Sequence, residues 1–192
     1  MMKCNIFALA LALTLCAALL AGCGGASSAS SASSAAPASS AAPEAASGAR
    51  TGEENGGASL DAAVSRLLEA NPISNQFEIA AMNIEYDFML SPDDVVAYKG
   101  VKSNDNGDAG LVLVIQPAAG KAEAICEALE TYKQDQVAFY GNYAEFGQAQ
   151  SNVENAIISG RDGLVVMVIA SNESSGDLSQ AVDDVMNEYA PQ

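Results

Sequence analysis

From residue 58 onward, apolar positions recur with helical and strand periods in turn. Leu60, Ala63, Val64, Leu67 and Leu68 share one stripe at helical spacing, with Ser59 placed to cap the helix and Asn71-Pro72 to close it after Ala70. Ile73 to Leu90 holds the core candidates Ile79, Met82 and Phe88, but neither period wins there. Ser91-Pro92-Asp93-Asp94 reads as a turn, Val95 to Val101 as a strand and Gly110 to Gln116 as a nearly all-apolar strand. Between those strands, Asn104-Asp105-Asn106-Gly107-Asp108 carries the Asn-Gly signal of a hairpin.

The strongest helical pattern runs from Ala118 or Ala119 to near Phe139, with Ala122, Ile125, Leu129 and Tyr132 inward and Lys121, Glu123, Glu127, Glu130 and Lys133 mostly outward. A looser stretch, Tyr140 to Glu154, follows. Asn155 to Ser159 and Leu164 to Ala170 then predict two strands joined by Gly160-Arg161-Asp162-Gly163, and Leu178, Val182, Val185, Met186 and Tyr189 a closing helix. The order α-β-β-α-β-β-α predicts an α+β fold of two layers, a largely antiparallel sheet of about four strands with helices on one face. Leu111 to Ile115 and Leu164 to Ile169, the most apolar runs, are expected at its centre.

The chain ahead of this domain has a different character. Lys3 precedes an apolar run of 17 residues, Ile6 to Gly22, with no charged cluster after it. That is the layout of an export signal, at the lower limit for spanning a bilayer. Leu20-Ala21-Gly22-Cys23 resembles the lipobox of bacterial lipoproteins. The resemblance implies diacylglycerol on the Cys23 thiol and cleavage between Gly22 and Cys23, so that acylated Cys23 anchors the mature chain to the bilayer. Residues 23–57 are nearly all Ala, Ser, Gly, Pro and Glu. Such a stretch buries too little apolar surface to offset the entropy of ordering it. A coil of this length reaches on the order of 30 Å. The expected organisation is therefore a signal peptide over 1–22, a lipidated tether over 23–57 and one globular domain over 58–192.

Charge and composition narrow the chemistry. Of 24 acidic and 8 basic residues, Glu44, Glu53, Glu54, Lys3 and Arg50 precede the domain, which holds 21 acids and 6 bases. That balance disfavours nucleic acid and anionic lipid head groups and favours cationic partners. The chain has no His, hence no Ser-His-Asp triad and no imidazole metal ligand. Cys126 sits beside Ile125 on the long helix and reads as a buried small hydrophobe.

Asp105, Gly107 and Asp108 lack the spacing of a calcium loop and read as a solvated hairpin tip. Asp93-Asp94 and Asp183-Asp184 are adjacent in sequence, so their side chains diverge. The loop Gly160 to Gly163 lacks the length and the Lys of a phosphate loop, and Arg161 reads as a hairpin charge. Tyr98, Tyr132, Tyr140 and Tyr143 are candidates for lining a pocket or for core packing. No catalytic residue, cofactor site or metal site is assigned.

The layout resembles the DUF4358 family of lipoproteins, found mainly in anaerobic Gram-positive gut bacteria. The resemblance rests on Phe88-Met89-Leu90-Ser91-Pro92-Asp93-Asp94-Val95, on the long helix after Pro117 and on the late strand Leu164 to Ile169. It spans Leu60 to Tyr189 and departs at Tyr140-Gly141-Asn142-Tyr143, where a Tyr-Pro segment is expected. It implies a location and a domain type, and no catalytic residues. The functional expectation is a non-enzymatic, surface-tethered binding or accessory lipoprotein on the outer face of the cell membrane, with an envelope protein or ligand as partner. The alternatives are a small envelope hydrolase using Asp or Glu residues and a solute-binding receptor for a transporter.

Overall fold

A computed structural model describes Met2–Lys3 and Gly56–Ala190. Cys23, the cleavage position and most of the tether lie outside the described residues.

The sheet is antiparallel throughout. Its strands are β1 (Met2–Lys3), β2 (Gln76–Glu78), β3 (Val95–Ser103), β4 (Leu111–Pro117), β5 (Ile157–Arg161) and β6 (Leu164–Ile169), in the spatial order β1-β5-β6-β4-β3-β2. Five strands thus belong to the region from Gln76 onward, one more than expected. The extra strand is β2, three exposed residues from the segment that gave no clear period. Its pairing with β3 (Phe77 opposite Lys102) defines it, not a hydrophobic pattern. At the other edge β1 pairs with β5, Met2 opposite Gly160.

The apolar strands β4 and β6 lie side by side at the centre, with Leu113 opposite Met167. Every residue of β6 is buried, as are Leu111 to Ile115 of β4. A strand that is apolar at every position needs cover on both faces, and the fold supplies it. Val112, Val114, Leu164, Val166 and Val168 point to one face, against α1 (Gly56–Ala70) and α5 (Leu178–Tyr189). Leu111, Leu113, Ile115, Val165, Met167 and Ile169 point to the other, against α2 (Ala81–Tyr86), α3 (Ala122–Gly141) and α4 (Gly147–Glu154). The expectation of helices on one face is corrected here. The α+β class and the antiparallel sheet stand, but the helices form a layer on each side.

Helix ends shift for local reasons. α1 begins at Gly56, ahead of Ser59, so Ser59 lies within the helix and is not its cap. α3 begins at Ala122 because Gly120 takes a positive φ of 73°, ending the turn that opens at Ala118. Asp177 caps α5, its carboxylate accepting the Gln180 N–H at 3.1 Å. Within the undecided segment, Phe88 and Leu90 are core residues while Met89 between them, at φ 54°, is 76 % exposed. Among the described residues no helix is long and apolar enough to cross a membrane.

Candidate functional site

A cleft of about 330 Å³ opens between the second half of α3 and the β3–β4 hairpin. Tyr132, Gln136 and Tyr140 line one wall, spaced four residues apart and so on one helical face. The opposite wall is Lys102 and Ser103 at the end of β3 and Asp108 to Leu111 where the hairpin returns. Val153 and Ile169 add apolar surface, and Asp87, just after α2, also lines the space. Tyr132 is held by packing, its ring centroid 4.6 Å from that of buried Phe88.

Two carboxylates meet this space in different environments. Asp87 Oδ2 accepts from Lys102 Nζ at 3.0 Å and from Asn83 Nδ2 at 2.9 Å. Partial burial pushes its carboxyl up. The hydrogen bonds from Asn83 and Lys102, with the lysine's charge, outweigh that and hold it below the ordinary value. Asp108 is only 8 % exposed. Its Oδ1 accepts the backbone N–H groups of Gly110 at 3.0 Å and Asn172 at 3.1 Å. These bonds fasten the hairpin tip to the segment after β6, and Asn172 Nδ2 adds a bond to Gly107 O at 3.2 Å.

Two phenols join these carboxylates in the lining. Burial raises the Tyr132 hydroxyl well above its usual value, with smaller contributions from Tyr140 and Asp87. Burial also raises Tyr140, helped by the charge of Asp108. Both phenols are therefore neutral at physiological pH and carry an O–H. Tyr132 lies close enough to feel Asp87 and Tyr140, and Tyr140 close enough to feel Asp108.

The residues singled out in the sequence divide sharply. Of the four tyrosines, Tyr132 and Tyr140 line the cleft, while Tyr98 and Tyr143 do not. Asp105 is exposed and accepts from Asn75, as a hairpin-tip residue should, but the solvated reading is wrong for Asp108, which folds back under the hairpin. Asp94 pairs with Lys121 at 2.9 Å while Asp93 is exposed; Asp184 lies 3.9 Å from Arg66. Arg161 ties its hairpin to α5, donating to Met186 O at 3.3 Å and Asn187 Oδ1 at 3.1 Å. Cys126 is buried in the core as expected. Asp87, Lys102 and Gln136 gave no sequence signal. Asp108 had one, since Asp two residues before Gly110 is the spacing at which a carboxylate bonds a backbone N–H two residues on.

Fold and cleft define a small α+β domain, an antiparallel sheet between two helical layers with a polar recess on one side. The chain belongs to the family described as a domain of unknown function (DUF4358), whose model matches residues 70–170. That span contains every residue lining the cleft. No curated protein and no solved structure matches the chain.

Proposed function

We propose that this chain is a surface-tethered lipoprotein of the bacterial cell envelope, anchored through acylated Cys23 and acting without catalysis by binding through the α3–hairpin cleft. The cleft carries the reading. Its size lies at the lower end of ligand pockets, and polar side chains (Asp87, Lys102, Asp108, Tyr132, Gln136 and Tyr140) converge on it, a lining suited to a polar or charged ligand. The anchor rests on Leu20-Ala21-Gly22-Cys23 and on the tether behind it. Two acyl chains on one residue give firm attachment.

A small envelope hydrolase is the second reading, because Asp87 and Asp108 line the same recess. A carboxylate general acid needs a raised pKa at working pH. Asp87 is shifted the opposite way, which favours binding over hydrolysis.

The test has two arms in the native host. Cys23→Ala is expected to move the protein from the membrane fraction into the soluble fraction; full retention on the membrane overturns the anchor. In-cell crosslinking of the intact lipoprotein, against a chain ending after Gly57, is expected to capture a stoichiometric partner that depends on the domain. Repeated failure with several crosslinkers overturns a protein partner and leaves small ligands of the cleft.

A further inference from the structure

We propose that the cleft is a site for a small primary ammonium compound, with Asp108 as its counter-ion and Tyr140 beside it. This rests on the reading of the cleft as a binding site and names the chemical class it takes.

Asp108 has no cationic partner among the described residues. Asp108 is more than nine-tenths buried, both of its hydrogen bonds end on Oδ1, and among the described residues no donor reaches Oδ2. Two backbone N–H groups satisfy Oδ1, and a carboxylate oxygen facing a recess with low-dielectric walls attracts a cation more strongly than one in open water. The six basic residues of the domain all have other partners, Lys102 within the cleft itself. Arg66 pairs with Glu69, Lys99 with Glu78, Lys102 with Asp87 and Lys121 with Asp94. Lys133 donates to Ala156 O, and Arg161 to the end of α5. Among the described residues no basic side chain pairs with Asp108, and its open side is the cleft.

The surroundings select the kind of cation. A hard divalent ion needs six or more oxygen ligands, and among the described residues no group of three or more carboxylates or thiols gathers. An organic ammonium needs one carboxylate and an aromatic face. Tyr140 lines the cleft with Asp108 nearby and is the ring available for that part, within a run of ring contacts. Its centroid lies 5.1 Å from that of Phe139 and 5.9 Å from that of Phe146, and Tyr143 joins both neighbours. Phe139 and Tyr143 are about half exposed, so the cluster opens to solvent beside the cleft. Further in, the Tyr132 hydroxyl, the Gln136 carboxamide and Lys102 offer donors to a hydroxyl or carbonyl on the same ligand. At ~30 Å³ per water, the space holds roughly ten waters, the bulk of a monosaccharide or a dipeptide. The strongly acidic domain raises the local concentration of cations at its surface.

The experiment is calorimetric titration of the full chain, purified in detergent, with ethanolamine and tyramine. Ethylene glycol and 4-ethylphenol serve as the uncharged counterparts. The amines are expected to bind one to one, and the counterparts at least about tenfold more weakly. Asp108→Asn keeps a carbonyl oxygen for the two backbone N–H groups but removes the charge. It is expected to melt near the parent temperature and lose at least about tenfold in amine affinity. Equal binding of amines and counterparts, no amine binding, or a folded Asp108→Asn with unchanged affinity overturns the assignment. Should Asp108→Asn not fold, Tyr140→Leu, which removes the aromatic face, decides: several-fold weaker amine binding is expected, and unchanged affinity overturns it. Membrane release of Cys23→Ala and the crosslinking capture are read separately, so a failed titration removes the amine and leaves the binding lipoprotein standing.

Discussion

The Asn71 carboxamide holds the end of α1 to the end of β6, one hundred residues away, through a two-point bond with Ile169 and Ser171. Nδ2 donates to Ile169 O and Oδ1 accepts the Ser171 N–H, both at 2.9 Å. The side chain thereby acts as one more strand partner, and Ser171 replies by donating its hydroxyl to Pro72 O at 2.6 Å. Asn71 has no exposed surface, so water cannot replace these bonds in a truncated variant. Asn71→Ala is expected to cost about 2–4 kcal/mol, the penalty of leaving a buried donor and a buried acceptor unmet. Asn71→Asp keeps the acceptor, loses the donor and buries a charge, so it is expected to be no better at neutral pH. Urea unfolding followed by circular dichroism measures both, and a loss under about 0.5 kcal/mol for Asn71→Ala would refute the account.

A second fixed relationship joins Gly160 of β5 to Cys126 of α3. A methyl at Gly160 would stand 2.5 Å from Cys126 Sγ, far inside van der Waals contact, and 3.5 Å from Val165 Cγ2. Gly160→Ala is therefore expected to destabilise by about 1–3 kcal/mol, the range for overpacking a filled core. Cys126→Ala removes the obstructing sulfur. The double variant is expected to be more stable than the sum of the two single losses, a coupling that only contact between the sites produces.

What the sequence made legible follows from burial. β4 and β6 stood out because every position is apolar, and α1, α3 and α5 because one stripe is. Those same runs held the sign of the second helical layer, since a half-exposed strand alternates and Leu111 to Ile115 does not. β2 was illegible because its three residues are exposed and only backbone pairing defines it. The cleft was half legible. Tyr132 and Tyr140 suggested themselves as aromatics. Asp87 and Lys102, 15 residues apart, form a pair that only the docking of α2 beside β3 creates. Asp108 looked like its exposed neighbour Asp105, because residue type does not reveal which side chain of a hairpin tip turns inward.

Truncating Asp108 separates its structural duty from its charge. Asp108→Ala leaves the Gly110 and Asn172 N–H groups without their acceptor. A loss of about 2 kcal/mol is expected, mostly as faster opening of the hairpin tip, readable by hydrogen exchange at those two amides. Asp108→Asn is expected to keep both amides protected. If the alanine variant exchanges there at the parent rate, the fastening role is wrong.

Acid should weaken the Asp87–Lys102 corner. The folded Asp87 carboxyl lies below its ordinary value, so the unfolded chain binds the proton first as pH falls. The stabilisation is present above the ordinary carboxylate value, about 3.9, and is lost as pH drops through the lower folded value. The pair is about one-third exposed on each side, which limits its worth to roughly 1 kcal/mol or less. Asp87→Asn is expected to reduce stability slightly at pH 7 and to match the parent near pH 2. A difference that grows in acid would contradict the assignment.

At the alkaline end Tyr132 has the opposite dependence. Its phenol is raised in the folded chain, chiefly by burial, so the unfolded chain releases the proton first, near the ordinary value of about 10. Stability contributed by keeping the phenol neutral is complete below that value and declines as pH climbs toward the folded one. Absorbance at 295 nm, titrated upward from neutral pH beside far-ultraviolet dichroism, sets phenol ionisation against loss of the fold. Tyr132 is expected to ionise only with the loss of far-ultraviolet dichroism. Tyr132→Phe keeps the ring against Phe88, removes the late step and is expected to move the alkaline unfolding midpoint upward. A Tyr132 that ionises while the helical signal is intact would mean that burial beside Phe88 does not hold the phenol neutral.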